Sequence, residues 1–170
     1  IDEIVSAHKR SFHSGATRDV RRRKANLLTL RTALKKWEKP LADALWADLH
    51  KSYEEAYLTE ISIVLSEIDN HIRNLHRWTR TQRKRTPLKM FPSRSEIISE
   101  PLGNALIIAP WNYPVQLILN PLAGALSAGC TAVLKPSPYV PHVSLTLGDM
   151  ISETFPESLV AVVQGNREVN

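Results

Sequence analysis

The sequence predicts an α/β protein in which an N-terminal layer of helices packs on part of a parallel, Rossmann-like sheet. Three observations carry this expectation. Apolar residues recur at three-to-four spacing through the first half, short apolar runs alternate with helix-length stretches from Leu102 onward, and Pro or Gly marks the joins. With 170 residues, 43% of them hydrophobic and 23% charged, the chain can bury one sizeable core, which excludes disordered and collagen-like classes.

Ile1, Ile4, Val5, His8 and Phe12 trace one helical face, and Val20, Leu27, Leu30, Leu34 and Trp37 trace a second, with Gly15 between them. Pro40 suits the first turn of a short helix carrying Leu41, Leu45 and Leu49. Tyr57, Ile61, Val64, Leu65, Ile68, Ile72, Leu75 and Trp78 form the apolar stripe of a long helix over residues 53–80, which Pro87 bars from continuing. Glu54, Glu55 and Glu60 on that helix read as solvated carboxylates, and Trp37, Trp46 and Trp78 as core or interface. After Phe91-Pro92-Ser93, residues 95–99 are a candidate strand. Residues 105–109, 131–134 and 159–163 have the length and composition of strands buried on both faces, and the βαβαβ rhythm makes their sheet parallel with right-handed crossovers. Pro114 opens the first crossover helix, Pro121 should kink or split it, and Gly129 closes it.

The net charge of +5 is concentrated in Arg18, Arg21, Arg22, Arg23 and Lys24, and in Arg77, Arg80, Arg83, Lys84 and Arg85. Both runs read as solvated helix faces or helix ends, which argues against nucleic acid as the ligand. No apolar run reaches the length of a membrane span, and no basic start leads into an apolar stretch and a small-residue cleavage site, so neither a membrane segment nor a leader is expected in these residues. The single cysteine, Cys130, has no internal disulfide partner, so a cytoplasmic home is the expectation. Of six histidines, His71 and His76 are five apart and do not share a helix face, and there is no HExxH pattern; no metal site is expected.

Ligands of an open parallel sheet bind beyond the carboxyl ends of its strands. Those ends run into Pro110-Trp111-Asn112-Tyr113-Pro114, Lys135-Pro136-Ser137-Pro138 and Gln164-Gly165-Asn166. Pro110 and Pro114 fix two φ angles and hold the residues between them out of the following helix. If the first two strands are neighbours, Asn112 and Lys135 enter one crevice and offer it an amide and a cation, which suits a charged ligand. Asn112 has two readings: an N-cap of the next helix, or a neutral donor to negative charge developing on a carbonyl oxygen. Cys130, between Gly129 and a strand, reads as a small buried hydrophobe and not as a nucleophile.

Glu100-Pro101-Leu102-Gly103, Pro110-Trp111-Asn112-Tyr113-Pro114, Pro121-Leu122, Ala128-Gly129 and Lys135-Pro136-Ser137, in this order and spacing, resemble the N-terminal half of the aldehyde dehydrogenase cofactor domain, closest to the class 3 branch. The resemblance extends over essentially the whole chain. It implies oxidation of an aldehyde to a carboxylic acid through a thiohemiacetal, with NAD or NADP as cofactor. On that resemblance Asn112 stabilises the oxyanion, and Lys135 contacts the adenosine ribose. Ile108, Ala109, Pro110 and Trp111 line the nicotinamide riboside and diphosphate side, Ser137 and Pro138 continue the cofactor turn, and Tyr113 lies near the substrate channel. The division it implies is a helical part over 1–86, a crossing segment over 87–101 and the first βαβαβ portion of the NAD(P)-binding domain over 102–170. The family's nucleophilic cysteine and general-base glutamate fall outside these residues, so the chain alone is expected to be inactive, and the parent enzyme to be a homo-oligomer such as a homodimer.

One departure is local. Where the family commonly carries a glutamate three residues after the lysine, this sequence has Pro138, which predicts tolerance of NADP. A reductase of acyl phosphates or acyl-CoA shares the fold and crevice, and a non-catalytic binding module is the alternative from another class. A sheet of three strands is expected to be marginally stable or to associate through its edge.

Overall fold

The computed structural model describes residues 1–166, so the last four residues of the expected 102–170 portion lie outside the described residues. Helix α1 (Asp2–His13) uses His8 as its one fully buried side chain, with Nε2 at 2.6 Å from the Glu157 carbonyl. Helix α2 (Val20–Lys36) starts where the Asp19 carboxylate accepts the Arg21 N–H at 2.9 Å. Helix α3 (Glu38–Leu49) stops at His50, which takes a left-handed φ of 54°. The expected long helix is present with an interruption: α4 (Tyr53–Ala56) passes through a π-helical turn, Tyr57–Ile61, into α5 (Ser62–Trp78). Leu27, Leu30, Leu34, Leu41, Leu45, Ile61 and Ile68 are wholly buried between these helices, each worth about 1.5–3 kcal/mol of burial.

The second basic run departs from the helical expectation. Gln82–Lys84 is a strand, β1, paired antiparallel with β2 (Ser95–Ile97), and Arg83 lies opposite Glu96 with Nε 3.6 Å from a carboxylate oxygen. Pro87 excludes the helix, and the hairpin ladder and opposite charges favour the strand. Arg23 departs from the solvated face assigned to the first run. It is buried, and its Nε donates to the Thr17 carbonyl at 3.1 Å; that burial lowers the guanidinium from its ordinary value.

Strands β3 (Asn104–Ile108), β4 (Thr131–Lys135) and β5 (Val160–Val162) form a parallel sheet in the order β3-β4-β5, with α6 (Pro114–Ala128) and α7 (Pro141–Thr154) as crossovers. Central β4 is buried, Ala132 and Leu134 completely. Edge strand β3 corrects the expectation of burial on both faces: Ile107 is covered, while Leu106 and Ile108 are 66% and 65% exposed. Helix α6 packs on β3 and β4 and also on α2 and α5, and α7 packs on α3, so the helical layer and the sheet share one core.

Pro121 does not split α6, which is continuous to Ala128. Pro121 and Leu117, whose carbonyl loses its intrahelical partner to the proline, both lie on the exposed side, where water can take over that hydrogen bond. Gly129 closes the helix at φ 86°, and a Cβ there would stand 2.5 Å from Arg23 Nε.

Candidate active site

The carboxyl ends of β3 and β4 are adjacent, as the crevice argument requires: Ile108 pairs with Lys135, and the Ala109 N–H donates to the Lys135 carbonyl at 3.1 Å. Beyond this last bond the chain turns away from the sheet through Pro110, Trp111, Asn112 and Tyr113. All four are exposed, Trp111 at 54% and Tyr113 at 39%. Ala109 before them and Pro114 after them are buried, so the turn is anchored at both ends and presents its middle to solvent.

Asn112 is not the N-cap of α6. That position belongs to Tyr113, which makes no side-chain cap bond. The orphan amides of the helix start are taken instead by Glu60, whose Oε2 accepts the Val115 N–H at 2.8 Å and the Gln116 N–H at 3.2 Å. Glu60 is therefore no solvated carboxylate; it is completely buried. Its other oxygen receives the Lys51 ammonium at 2.6 Å, with Lys51 itself 8% exposed. The same Nζ donates to the Asn112 carbonyl at 2.9 Å and sits 4.1 Å above the centre of the Tyr113 ring. Relieved of capping duty, the Asn112 carboxamide makes no hydrogen bond to another described residue.

A parallel arrangement serves α7. Its N-cap, Val140, supplies no side-chain bond, and Asp48 of α3 accepts the Val143 N–H at 2.9 Å and the His142 N–H at 3.3 Å, with His142 Nδ1 2.7 Å away. Both crossover helices thus borrow a carboxylate cap from the helical layer, and the negative charge offsets the positive end of each helix dipole.

At the second strand end Lys135 is buried and its ammonium donates to the Gly165 carbonyl at 2.7 Å, tying β4 to the segment that follows β5. An ammonium carries three donors, so this bond fixes the head while leaving hydrogens for a ligand. Ser137 is buried, with its hydroxyl accepting the Tyr139 N–H at 3.3 Å, and Pro138 is exposed. No Asp or Glu occurs between Lys135 and Asp149. Cys130 is buried, its backbone N–H bonded to the Ala125 carbonyl.

Sequence reasoning missed Lys51, Glu60 and Asp48. A signal existed for one of them: Glu60 is three residues after Tyr57 and four before Val64, which puts a carboxylate on the apolar stripe.

Residues 1–170 match the family model described as the aldehyde dehydrogenase family. The chain belongs to that family. It is 43% identical over 168 residues to the 4,4'-diaponeurosporen-aldehyde dehydrogenase of Staphylococcus aureus, a match covering 99% of this chain and 37% of the relative. A dimeric NADP-preferring aldehyde dehydrogenase of Canis lupus familiaris is 37% identical over 169 residues, 97% of this chain and 36% of the relative. Among solved structures, the substrate-bound state of Staphylococcus aureus AldH superposes with a TM-score of 0.96 at 41% identity over 98% of this chain and 36% of that one. The chain therefore spans a little over a third of the length of these aldehyde dehydrogenases, and the helical layer with its parallel sheet is their architecture.

Proposed function

We propose that this chain supplies the helical layer and first βαβαβ unit of an NAD(P)-dependent aldehyde dehydrogenase, which oxidises an aldehyde to a carboxylic acid. The observation that carries the reading is the exposed Asn112 on a turn buried at both ends, in the segment that leaves β3, the strand paired with the one that ends at Lys135. As a cysteine thiolate from sequence outside residues 1–170 adds to the aldehyde carbon, the carbonyl π electrons move to oxygen. Asn112 donates an N–H to that oxyanion without ionising. With its backbone held before the reaction, the donor has less reorganisation to undergo at the transition state. Cys130 does not serve as the nucleophile, because it is buried in the core.

The donor set at the end of β4 fits a nicotinamide dinucleotide: a buried ammonium with hydrogens to spare, at the carboxyl end of a parallel strand, where ligands bind in folds of this type. When bound, that cofactor supplies the hydride acceptor. Lys135 would hold the adenosine ribose, Ser137 and Pro138 would shape the turn beside it, and Ile108, Ala109, Pro110 and Trp111 would line its nicotinamide side. Tyr113 would border the substrate channel. Without a carboxylate at position 138, a 2′-phosphate meets no repulsion there, so NADP is accepted alongside NAD; the NADP preference of the canine relative supports this, and its dimeric state supports a homodimer.

The test is aldehyde-dependent reduction of NAD and NADP by the full-length protein carrying this sequence. Asn112→Ala is expected to lower kcat by about 10²–10³-fold with cofactor affinity within a few-fold. A folded full-length protein that reduces neither cofactor with any of a panel of short and long aldehydes overturns the reading.

A further inference from the structure

We propose that Lys51 and Glu60 are positioning residues for aldehyde oxidation: their buried ion pair clamps the backbone of Asn112 and so aims its carboxamide. The inference rests on the reading of Asn112 given above. Its physical basis is the set of contacts converging on one short stretch of chain. Lys51 Nζ reaches the Asn112 carbonyl and the Tyr113 ring, and Glu60 Oε2 takes the Val115 and Gln116 amides, so four of five consecutive residues are gripped by one charge pair.

Helix capping alone does not account for this arrangement. Glu60 could cap α6 with a solvated carboxylate, as Asp19 caps α2, and desolvating a lysine beside it is a poor route to stability, because buried ion pairs are often matched by apolar isosteres. What the lysine adds is directional. It is the only side chain among the described residues that bonds the Asn112 backbone. With Pro110 and Pro114 fixing φ on either side, the peptide plane after Asn112 is held by its own carbonyl bond. An oxyanion donor must stand within about 0.5 Å of its productive place, and holding this plane constrains where the side chain can point.

Delivery of Glu60 depends on the π-helical turn Tyr57–Ile61, which contains it. Such turns insert one extra residue into a helix and collect at functional sites. Here the insertion lets Tyr57 and Ile61 stay with the core while the carboxylate between them meets the start of α6.

The experiment is a double-mutant cycle in the full-length enzyme, crossing Lys51→Met with Asn112→Ala and reading kcat, KM and cofactor affinity. Lys51→Met is expected to lower kcat by about tenfold with KM for cofactor changed less than about twofold, and to cost less than about twofold when Asn112 is already alanine. Equal losses in both backgrounds overturn the inference, since a merely structural role weakens the enzyme whatever residue stands at 112. The neutral pair Lys51→Met/Glu60→Gln removes the uncompensated charge that could unfold the single variant, and it must show the same collapse. Lys51→Arg, which keeps a charged donor, should recover part of kcat. Activity that is lost on Asn112→Ala but unaffected by Lys51→Met sinks this inference alone, whereas an inactive wild type sinks the reading beneath it.

Discussion

The Glu60 carboxylate lies 2.8 Å from the amide of Val115, 55 residues further along the chain, and closes the start of a helix whose own sequence offers no cap. Asp48 does the same for α7 from α3. These two carboxylates tie the helical layer to the starts of the two crossover helices, which follow the strand ends where cofactor and substrate are proposed to bind.

Asp48→Ala is expected to lower stability by about 1–2 kcal/mol, the ordinary cost of an N-cap, and Asp48→Asn by less, since its carbonyl oxygen still accepts. Urea unfolding of the full-length enzyme reads the difference. Identical midpoints for Asp48→Ala and wild type would show that α7 does not need the borrowed cap.

Gly129→Ala forces a side chain into a left-handed backbone and onto the buried Arg23 guanidinium. The conformational term alone is about 1–2 kcal/mol, and moving Arg23 off Gly129 disturbs its bond to Thr17, so a loss of at least about 2 kcal/mol is expected. Thermal unfolding checks it; a loss no larger than the conformational term would mean that Arg23 swings away at no cost, and no measurable loss would refute the expectation altogether.

Restoring the missing carboxylate with Pro138→Glu should cut kcat/KM for NADP by about tenfold or more and leave NAD within about twofold, because the added charge would face a 2′-phosphate. Parallel steady-state assays with both cofactors decide it. Equal losses for the two would point to a disturbed turn and not to charge.

Glu153 gives a signed pH prediction. The hydrogen bond from the Lys36 ammonium holds its carboxyl below the ordinary value, against a smaller opposing effect of desolvation. A depressed carboxylate contributes stability above its unfolded-state value and loses it as pH falls through the folded value. Glu153→Gln should therefore lower the thermal midpoint slightly at about pH 7 and coincide with wild type near pH 2. The effect is small because both side chains are half exposed or more. A deficit that persists undiminished in acid would refute the pairing as its source.

Much of this architecture was legible because burial follows period. The apolar spacing located α1, α2, α3 and α5, and the runs at 105–109, 131–134 and 159–163 fall within a residue of β3, β4 and β5. The exits Pro110–Pro114 and Lys135–Pro138 follow from those strands, so the candidate residues lie where a reading of strand ends puts them. Strand β1 escaped because Gln82, Arg83 and Lys84 are all exposed and carry no alternation; its identity resides in its partner. Glu60 escaped because a carboxylate on a helix is ordinarily solvated, and the lysine that lets it be buried is nine residues away across a helix break. Local sequence has no period that records a contact of that kind.

The reach of the Lys51 bond bears on how the chain assembles. Sixty-one residues separate the ammonium from the carbonyl it holds, so the helices emerge from the ribosome with a charge pair whose remaining partners have yet to be synthesised. Closing so long a loop costs entropy before any contact rewards it. Until α6 docks, Glu60 and Lys51 must keep their water, and the helical layer cannot complete its interior alone. The helical layer and the sheet share one core, so the first half is expected to fold fully only with the second, and the division expected near residue 86 does not mark separate cores.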